Sequence, residues 1–274
     1  MTILQAILMA ILQGVTELFP ISSLGHAVIV PALLGWRIDQ AAEGFLPFLA
    51  VMHLGTALAL LIYFWRDWLG FAVSVIGFRN PAGTADRRLF WRVVVATIPA
   101  VVIGFVFEKI LRQGFAAPSL AAAFLIVNGA MLFTAERVRR RTVRPIGALR
   151  WRDAVVIGFC QCLALIPGMS RSGATMAGGY VCGLDHEDAA RFSFLTATPI
   201  ILGAVVLEGP KLIHHPAGFG LAAILAGVVA GVTAFASAWA LMAWFRMRDV
   251  RGFDPFALYC ALAGLGALVL LAMR

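Results

Sequence analysis

Two short segments hold most of the side chains in this sequence that could do chemistry. The first, LQGVTELFPISSLGH (12–26), brings Gln13, Glu17, Ser22, Ser23 and His26 into one run. The second, LIPGMSRSGATM (165–176), sets Arg171 among Ser170, Ser172 and Thr175, with Gly168 and Gly173 to either side. A carboxylate, a hydroxyl and an imidazole are the parts of an activated nucleophile. A guanidinium among hydroxyls, glycines and open-helix N–H groups is a nest for phosphate oxygens, which arginine's planar fork can meet in pairs. Gln13 lies one turn before Glu17 on the same helical face. Pro20 stops that helix, leaving Ser22, Ser23 and His26 at a break and at the start of the next. Ser23 and His26, three residues apart, can share a face.

Each of these residues also has a plainer reading. Arg171 could be a structural partner of Glu17, and His26 a packed imidazole. The company of Glu17, Ser23 and Arg171 favours an anion clamp for Arg171 and a catalytic role for His26. His53 sits within a predicted span and is read first as a structural hydrogen bond, second as an accessory to the site. His186, His214 and His215 fall in linkers and read as surface residues. Cys160, Cys162, Cys182 and Cys260 lie in apolar surroundings without the spacing of a zinc site, so packed or lipid-facing thiols are expected.

The elements that must position these side chains follow from composition. The chain is 61% hydrophobic and 13% charged with mean hydropathy +0.91, too little polar residue to cover a soluble fold. The sequence therefore predicts an all-α polytopic membrane protein. Six runs are long enough to cross: about 47–65, 91–108, 118–135, 192–209, 219–244 and 255–273. Two more, 2–38 and 153–183, are broken near the middle by Pro, Gly, Ser and a charged residue. They read as re-entrant helical hairpins, tolerable in a bilayer only against protein or a watery cavity. The net charge of +8 does not point to nucleic acid, because the arginines cluster between the apolar runs. Residues 66–92, 137–152 and 246–251 are Arg-rich, whereas the alternate linkers carry little more than Lys109, Arg112 and Lys211. By the positive-inside tendency the Arg-rich linkers are cytoplasmic and both termini periplasmic. The N-terminus lacks the features of a cleaved signal, so Met1 is expected to be retained.

An internal repeat supports this plan. Gln13, Ser22, Gly25 and Gly55 recur as Gln161, Ser170, Gly173 and Gly203, each 148 residues on. A hairpin followed by three crossings occurs twice, and an odd number of crossings inverts the second copy. The predicted organisation is one membrane domain, 1–274. Repeat 1–135 carries hairpin 2–38, an Arg-rich linker covers 136–152, and repeat 153–274 carries hairpin 153–183. Inversion would bring the two breaks together near the bilayer midplane.

With both segments in view, the sequence resembles the undecaprenyl-pyrophosphate phosphatase family of bacteria, also called the bacitracin-resistance protein family. LQGVTELFPISSLGH matches its Glu/Gln-x-x-x-Glu motif and following Pro-x-Ser-Ser-x-Gly-His run. QCLALIPGMSRSGAT (161–175) matches Pro-Gly-x-Ser-Arg-Ser-x-x-Thr, and RFSFLTATPIILGA (191–204) resembles the stretch that follows. The resemblance covers nearly the whole chain. It implies an inner-membrane enzyme that removes the terminal phosphate of undecaprenyl pyrophosphate, regenerating the monophosphate carrier for peptidoglycan synthesis. It further implies a site facing the periplasm and dependence on a divalent cation such as Mg2+ or Ca2+. Carried over by motif position, the key carboxylate is Glu17, the serine–histidine pair is Ser23 and His26, and the phosphate-binding arginine is Arg171. Gln13 stands where many members have a second glutamate, leaving Glu17 as the carboxylate to hold a cation, with Gln13 beside it. Leu24 stands where threonine is usual.

On this reading, Arg171 and the backbone around Ser170–Gly173 hold the terminal phosphoryl group, with Ser22, Gly168, Ser172 and Thr175 around it. Gln13, Gln161 and His53 support them. Either Ser23 attacks with His26 as its base, or water attacks and Ser23 orients the phosphate. The rival class is a transporter or flippase for an anionic lipid or small anion using the same clamp, to which a Ser–His pair is unnecessary. The sequence leaves a homodimer open.

Overall fold

The computed structural model describes residues 2–36, 45–76, 83–107, 117–138, 143–214, 220–248 and 250–274, with side chains 46–47 and 208–214 also left out. Asp39, Arg79, Lys109, Arg112, Arg139, Arg140, Arg141 and His215, and the side chains of Lys211 and His214, therefore lie outside the described residues. Eleven α-helices are present among the described residues: α1 Ile3–Leu18, α2 Ser23–Leu34, α3 Phe45–Tyr63, α4 Trp65–Ile76, α5 Gly83–Val106 and α6 Pro118–Arg137. They continue with α7 Trp151–Cys162, α8 Arg171–Val181, α9 His186–His214, α10 Leu221–Arg246 and α11 Asp254–Ala272.

The protein is an all-α polytopic membrane protein. Helices α5, α6, α9, α10 and α11 are each long and apolar enough to cross a bilayer; α3 qualifies together with α4, from which it is bent by 78°. Every predicted span thus corresponds to a helix. The two broken runs appear as the pairs α1/α2 and α7/α8. Their halves have 16, 12, 12 and 11 residues, and at about 1.5 Å per residue none reaches across about 30 Å of hydrocarbon.

The long helices turn large apolar side chains outward and small ones inward, as expected where lipid is the solvent. On α11, Leu258, Leu262, Leu265 and Val269 are exposed, while Ala257, Cys260, Gly264 and Ala267 are buried, and this inner face packs on α6. Helix α3 meets α10 more closely still: a Cβ on Gly55 would stand 2.0 Å from the Gly227 carbonyl oxygen.

Two expectations need correction. The linker 66–92 contains helix α4, which the arginine count concealed. His186 is a core residue, only 2% exposed. Its Nε2 donates to Glu136 (2.9 Å), which also accepts from the Tyr180 hydroxyl and from the backbone N–H groups of Arg251 and Phe253. One carboxylate at the end of α6 thereby ties α8, the start of α9 and the turn before α11.

The close approach at Gly55 makes a direct test. Gly55→Ala should overpack the α3–α10 contact at a cost of about 1–3 kcal/mol and lower the thermal unfolding midpoint in detergent. Gly203→Ala, at the repeat-related position, meets open space and should leave the midpoint unchanged or slightly raised.

Candidate active site

The two helix breaks are built alike. Ser22 caps α2, its Oγ accepting from Gly25 N (3.2 Å); Ser170 caps α8, its Oγ accepting from Gly173 N (3.1 Å). A serine N-cap satisfies one of the donors that a helix start leaves unpaired. Ser22 holds φ +71, a left-handed conformation that is unfavourable for a non-glycine residue. Its hydroxyl also donates to Met169 O (3.1 Å), across to the second break. Ser172 Oγ returns the tie by donating to Phe19 O (3.1 Å). Gly168 takes φ +98, and a Cβ there would lie 2.2 Å from the Ala121 carbonyl of α6.

A residue that sequence reading missed holds the junction. Asn128, in the middle of α6 and fully buried, donates through Nδ2 to Pro20 O (2.9 Å) and accepts through Oδ1 from Ser170 N (3.0 Å). One amide thus satisfies a loose backbone group from each break. A lone asparagine amid an apolar span was the available signal, because such polar groups need partners in a membrane.

The junction brings Glu17 and Arg171 together. Glu17, 6% exposed, accepts from Arg171 Nη2 at 2.9 Å through Oε1. Its Oε2 accepts from Ser23 Oγ (2.5 Å) and Gln13 Nε2 (3.1 Å), with His53 Nε2 at 3.4 Å. His53 Nδ1 donates to Leu49 O (2.8 Å), so its Nε2 can donate to the carboxylate only as imidazolium. The second Arg171 amine reaches Ser193 O at 3.4 Å, leaving further N–H donors on a five-donor group. His53, read from sequence first as structural, therefore belongs to the cluster.

Other predicted residues lie elsewhere. His26 does not meet Ser23. Its Nδ1 is 2.7 Å from Ser22 O, one turn back, and its Nε2 2.8 Å from the Tyr259 hydroxyl, with the two rings stacked. The backbone bond draws the imidazole along α2 and towards α11. Thr175 Oγ1 donates to Arg171 O (2.7 Å) and approaches Gln161 Oε1 (3.4 Å), while Gln161 Nε2 donates to Ala96 O (3.1 Å). These two brace α8 against α7 and α5.

The site has one buried polar atom without a partner: Gln13 Oε1. Beside Glu17 it makes two hard oxygen donors. Among the described residues no group of three His, Cys, Asp or Glu side chains is placed to hold a metal ion. Such a pair suits a cation of the Mg2+ type, which is commonly held by one or two protein oxygens together with substrate phosphates.

Comparison with known proteins gives this arrangement a family. The profile described as bacitracin resistance protein BacA matches residues 6–266. The chain belongs to the BacA family. It is 55% identical to the undecaprenyl-diphosphatase of Acidiphilium cryptum, with 99% of each chain covered. It is 52% identical to that of Granulibacter bethesdensis over 98% of this chain and 96% of the relative. For Gluconobacter oxydans the identity is 48% over 99% and 100%. The BacA match spans both helix breaks and all the residues gathered around Glu17.

Asn128→Leu leaves the Ser170 N–H buried without a partner, at a cost of about 1–3 kcal/mol, and leaves Pro20 O with only the weak Cys260 thiol donor at 3.9 Å. It should lower the unfolding midpoint well beyond Asn128→Gln, as read by thermal unfolding in detergent.

Proposed function

We propose that this protein is an undecaprenyl-diphosphatase of the bacterial inner membrane that returns the lipid monophosphate to peptidoglycan synthesis. The observation that carries this reading is the buried cluster in which Glu17, Ser23 and His53 from one half of the chain meet Arg171 from the other. Its membership in the BacA family and its likeness to named undecaprenyl-diphosphatases supply the substrate class.

The terminal phosphoryl oxygens bind Arg171, which exchanges its carboxylate partner for the anion, and the N–H groups that open α8. Ser170, Ser172 and Gly173 shape that helix start, with Ser22 and Gly168 bracing it. The prenyl chain stays among the spans. Ser23 Oγ attacks the terminal phosphorus, its proton passing to Glu17, and the bridging P–O bond breaks to leave the lipid monophosphate. Water then attacks the phosphoserine; the P–Oγ bond breaks and Glu17 returns the proton to Ser23, releasing inorganic phosphate. Glu17 takes the role that sequence reading gave to His26, because it is Glu17 that accepts the Ser23 hydrogen bond. Gln13 and Glu17 would hold a divalent cation, Mg2+ or Ca2+, which supplies charge neutralisation at the phosphates.

The topology belongs to the same proposal. Repeats 1–135 and 153–274 are inverted about the linker 136–152, with α1/α2 and α7/α8 re-entrant, six spans, a cleft open to the periplasm and periplasmic termini. Packing related by repeat exchange supports it: α1 lies on α10 as α7 lies on α5, and α2 meets α11 as α8 meets α6.

Arg171→Ala should reduce phosphate release from a prenyl pyrophosphate about 100-fold or more, the scale of losing a transition-state anion donor. The assay is inorganic phosphate release in detergent, where no compartments exist and transport gives no signal. Near-normal release would remove Arg171 from the reaction. Labelled substrate quenched in acid should leave phosphate on Ser23, and Ser23→Ala should abolish the label; turnover persisting in Ser23→Ala would assign the attack to water.

A further inference from the structure

We propose that the hollow between α4, α5 and α7 binds the phosphate headgroup of an anionic phospholipid, at a site separate from the Glu17–Arg171 cluster. The hollow has a volume of about 480 Å³ and is lined by Val75, Arg87, Arg88, Trp91 and Trp151. Val75 comes from the end of α4, the arginines and Trp91 from the first turns of α5, and Trp151 from the first residue of α7. Trp91 lies one turn beyond Arg87 and Arg88, so guanidinium and indole groups share one helix face.

The positive charge is not neutralised locally. Asp86, the acid next in sequence, lies against α4, where a Cβ on Gly70 would stand 2.8 Å from its Oδ2. Asp153 Oδ2 is taken by Arg144 (3.0 Å) and by the backbone N–H of Arg150 (2.8 Å). Arg88 uses its Nε on Thr84 O (3.2 Å); among the described residues neither Arg87 nor Arg88 has an acidic partner. One turn further along α5, Arg92 is buried, gives Nη1 to Gly147 O (3.0 Å) and leaves Nε unpaired. Two cations without acidic partners line the hollow, with a third buried on the same helix, and they call for an external anion.

The surroundings identify that anion as part of a lipid. Helix α4 turns 78° from α3 and exposes Trp65, Leu69, Val73 and Ile76, an apolar stripe suited to lying in the interface plane. Tryptophans concentrate at headgroup depth, and both indoles here are about half exposed. A phosphate between the guanidiniums with acyl chains along the indoles and α4 satisfies both halves of the lining. Basic pockets between helices at the Arg-rich membrane face bind anionic headgroups by this means.

The test is native mass spectrometry of detergent-purified protein with added phosphatidylglycerol, phosphatidylcholine, a prenyl monophosphate or inorganic phosphate. The wild type should retain one phosphatidylglycerol that R87Q/R88Q retains at least about fivefold less. A charge-matched R246Q/R248Q variant should keep it, as should wild type in millimolar inorganic phosphate. Phosphate release from prenyl pyrophosphate by R87Q/R88Q in detergent should be unchanged, which separates this site from the catalytic one. Should R87Q/R88Q fail to fold, Trp151→Leu gives the same reading by losing the retained lipid. Equal retention in all variants, displacement by inorganic phosphate, or preference for the prenyl monophosphate would overturn the proposal.

Discussion

A guanidinium inside a bilayer must have a partner, and the structure is organised around that requirement. Stranding a guanidinium at mid-membrane costs at least about 2.5–3.5 kcal/mol, and the carboxylate that meets Arg171 comes from the other half of the chain, 154 residues earlier. For Glu17 and Arg171 to meet, both helices must stop inside the protein, and each stop frees backbone groups that lipid cannot satisfy. The serine caps, the crossed Ser22–Met169 and Ser172–Phe19 bonds and the amide of Asn128 provide for those groups. The same small-residue packing that holds the spans together holds this junction in place.

In the proposed reaction the resting ion pair is also the switch that an anion throws. With Arg171 engaged by Glu17, the carboxylate is shared among Arg171, Ser23, Gln13 and His53. A phosphate that draws the guanidinium away leaves Glu17 facing the Ser23 hydroxyl with one cation fewer to compete for its electrons. In the proposed reaction, binding and activation of the nucleophile are then one event. That is economical only because the carboxylate is buried: in water the Coulomb term would be several-fold weaker.

Much of this was legible in the sequence because the signals were coarse and physical. Run lengths located the long apolar helices, and Pro20 and Pro167 with their neighbouring Gly and Ser marked the two breaks. The motif residues Gln13, Glu17, Ser23 and Arg171 converge as the motifs imply. What escaped depended on direction, which spacing does not carry. His26 and Ser23 are three residues apart, yet a bond to Ser22 O turns the imidazole to Tyr259. Helix α4 was hidden because its arginine-rich flank outweighed an apolar stripe of only three turns. His186 reads as polar in a linker, but aromatic rings from α8, α10 and the turn before α11 enclose it against Glu136.

The central claim is that Arg171 serves the ligand and is not merely the structural counterpart of Glu17. Its most direct test is a double-mutant cycle of Glu17→Gln and Arg171→Gln, read as the Kd of a non-hydrolysable prenyl bisphosphonate in EDTA, so that a cation held by Glu17 does not contribute. The account predicts that E17Q binds at least as tightly as wild type, while R171Q and E17Q/R171Q both bind at least about tenfold more weakly, some 1.4 kcal/mol. Wild-type affinity in E17Q/R171Q, where no charge is stranded, would contradict it and reduce the pair to scaffolding.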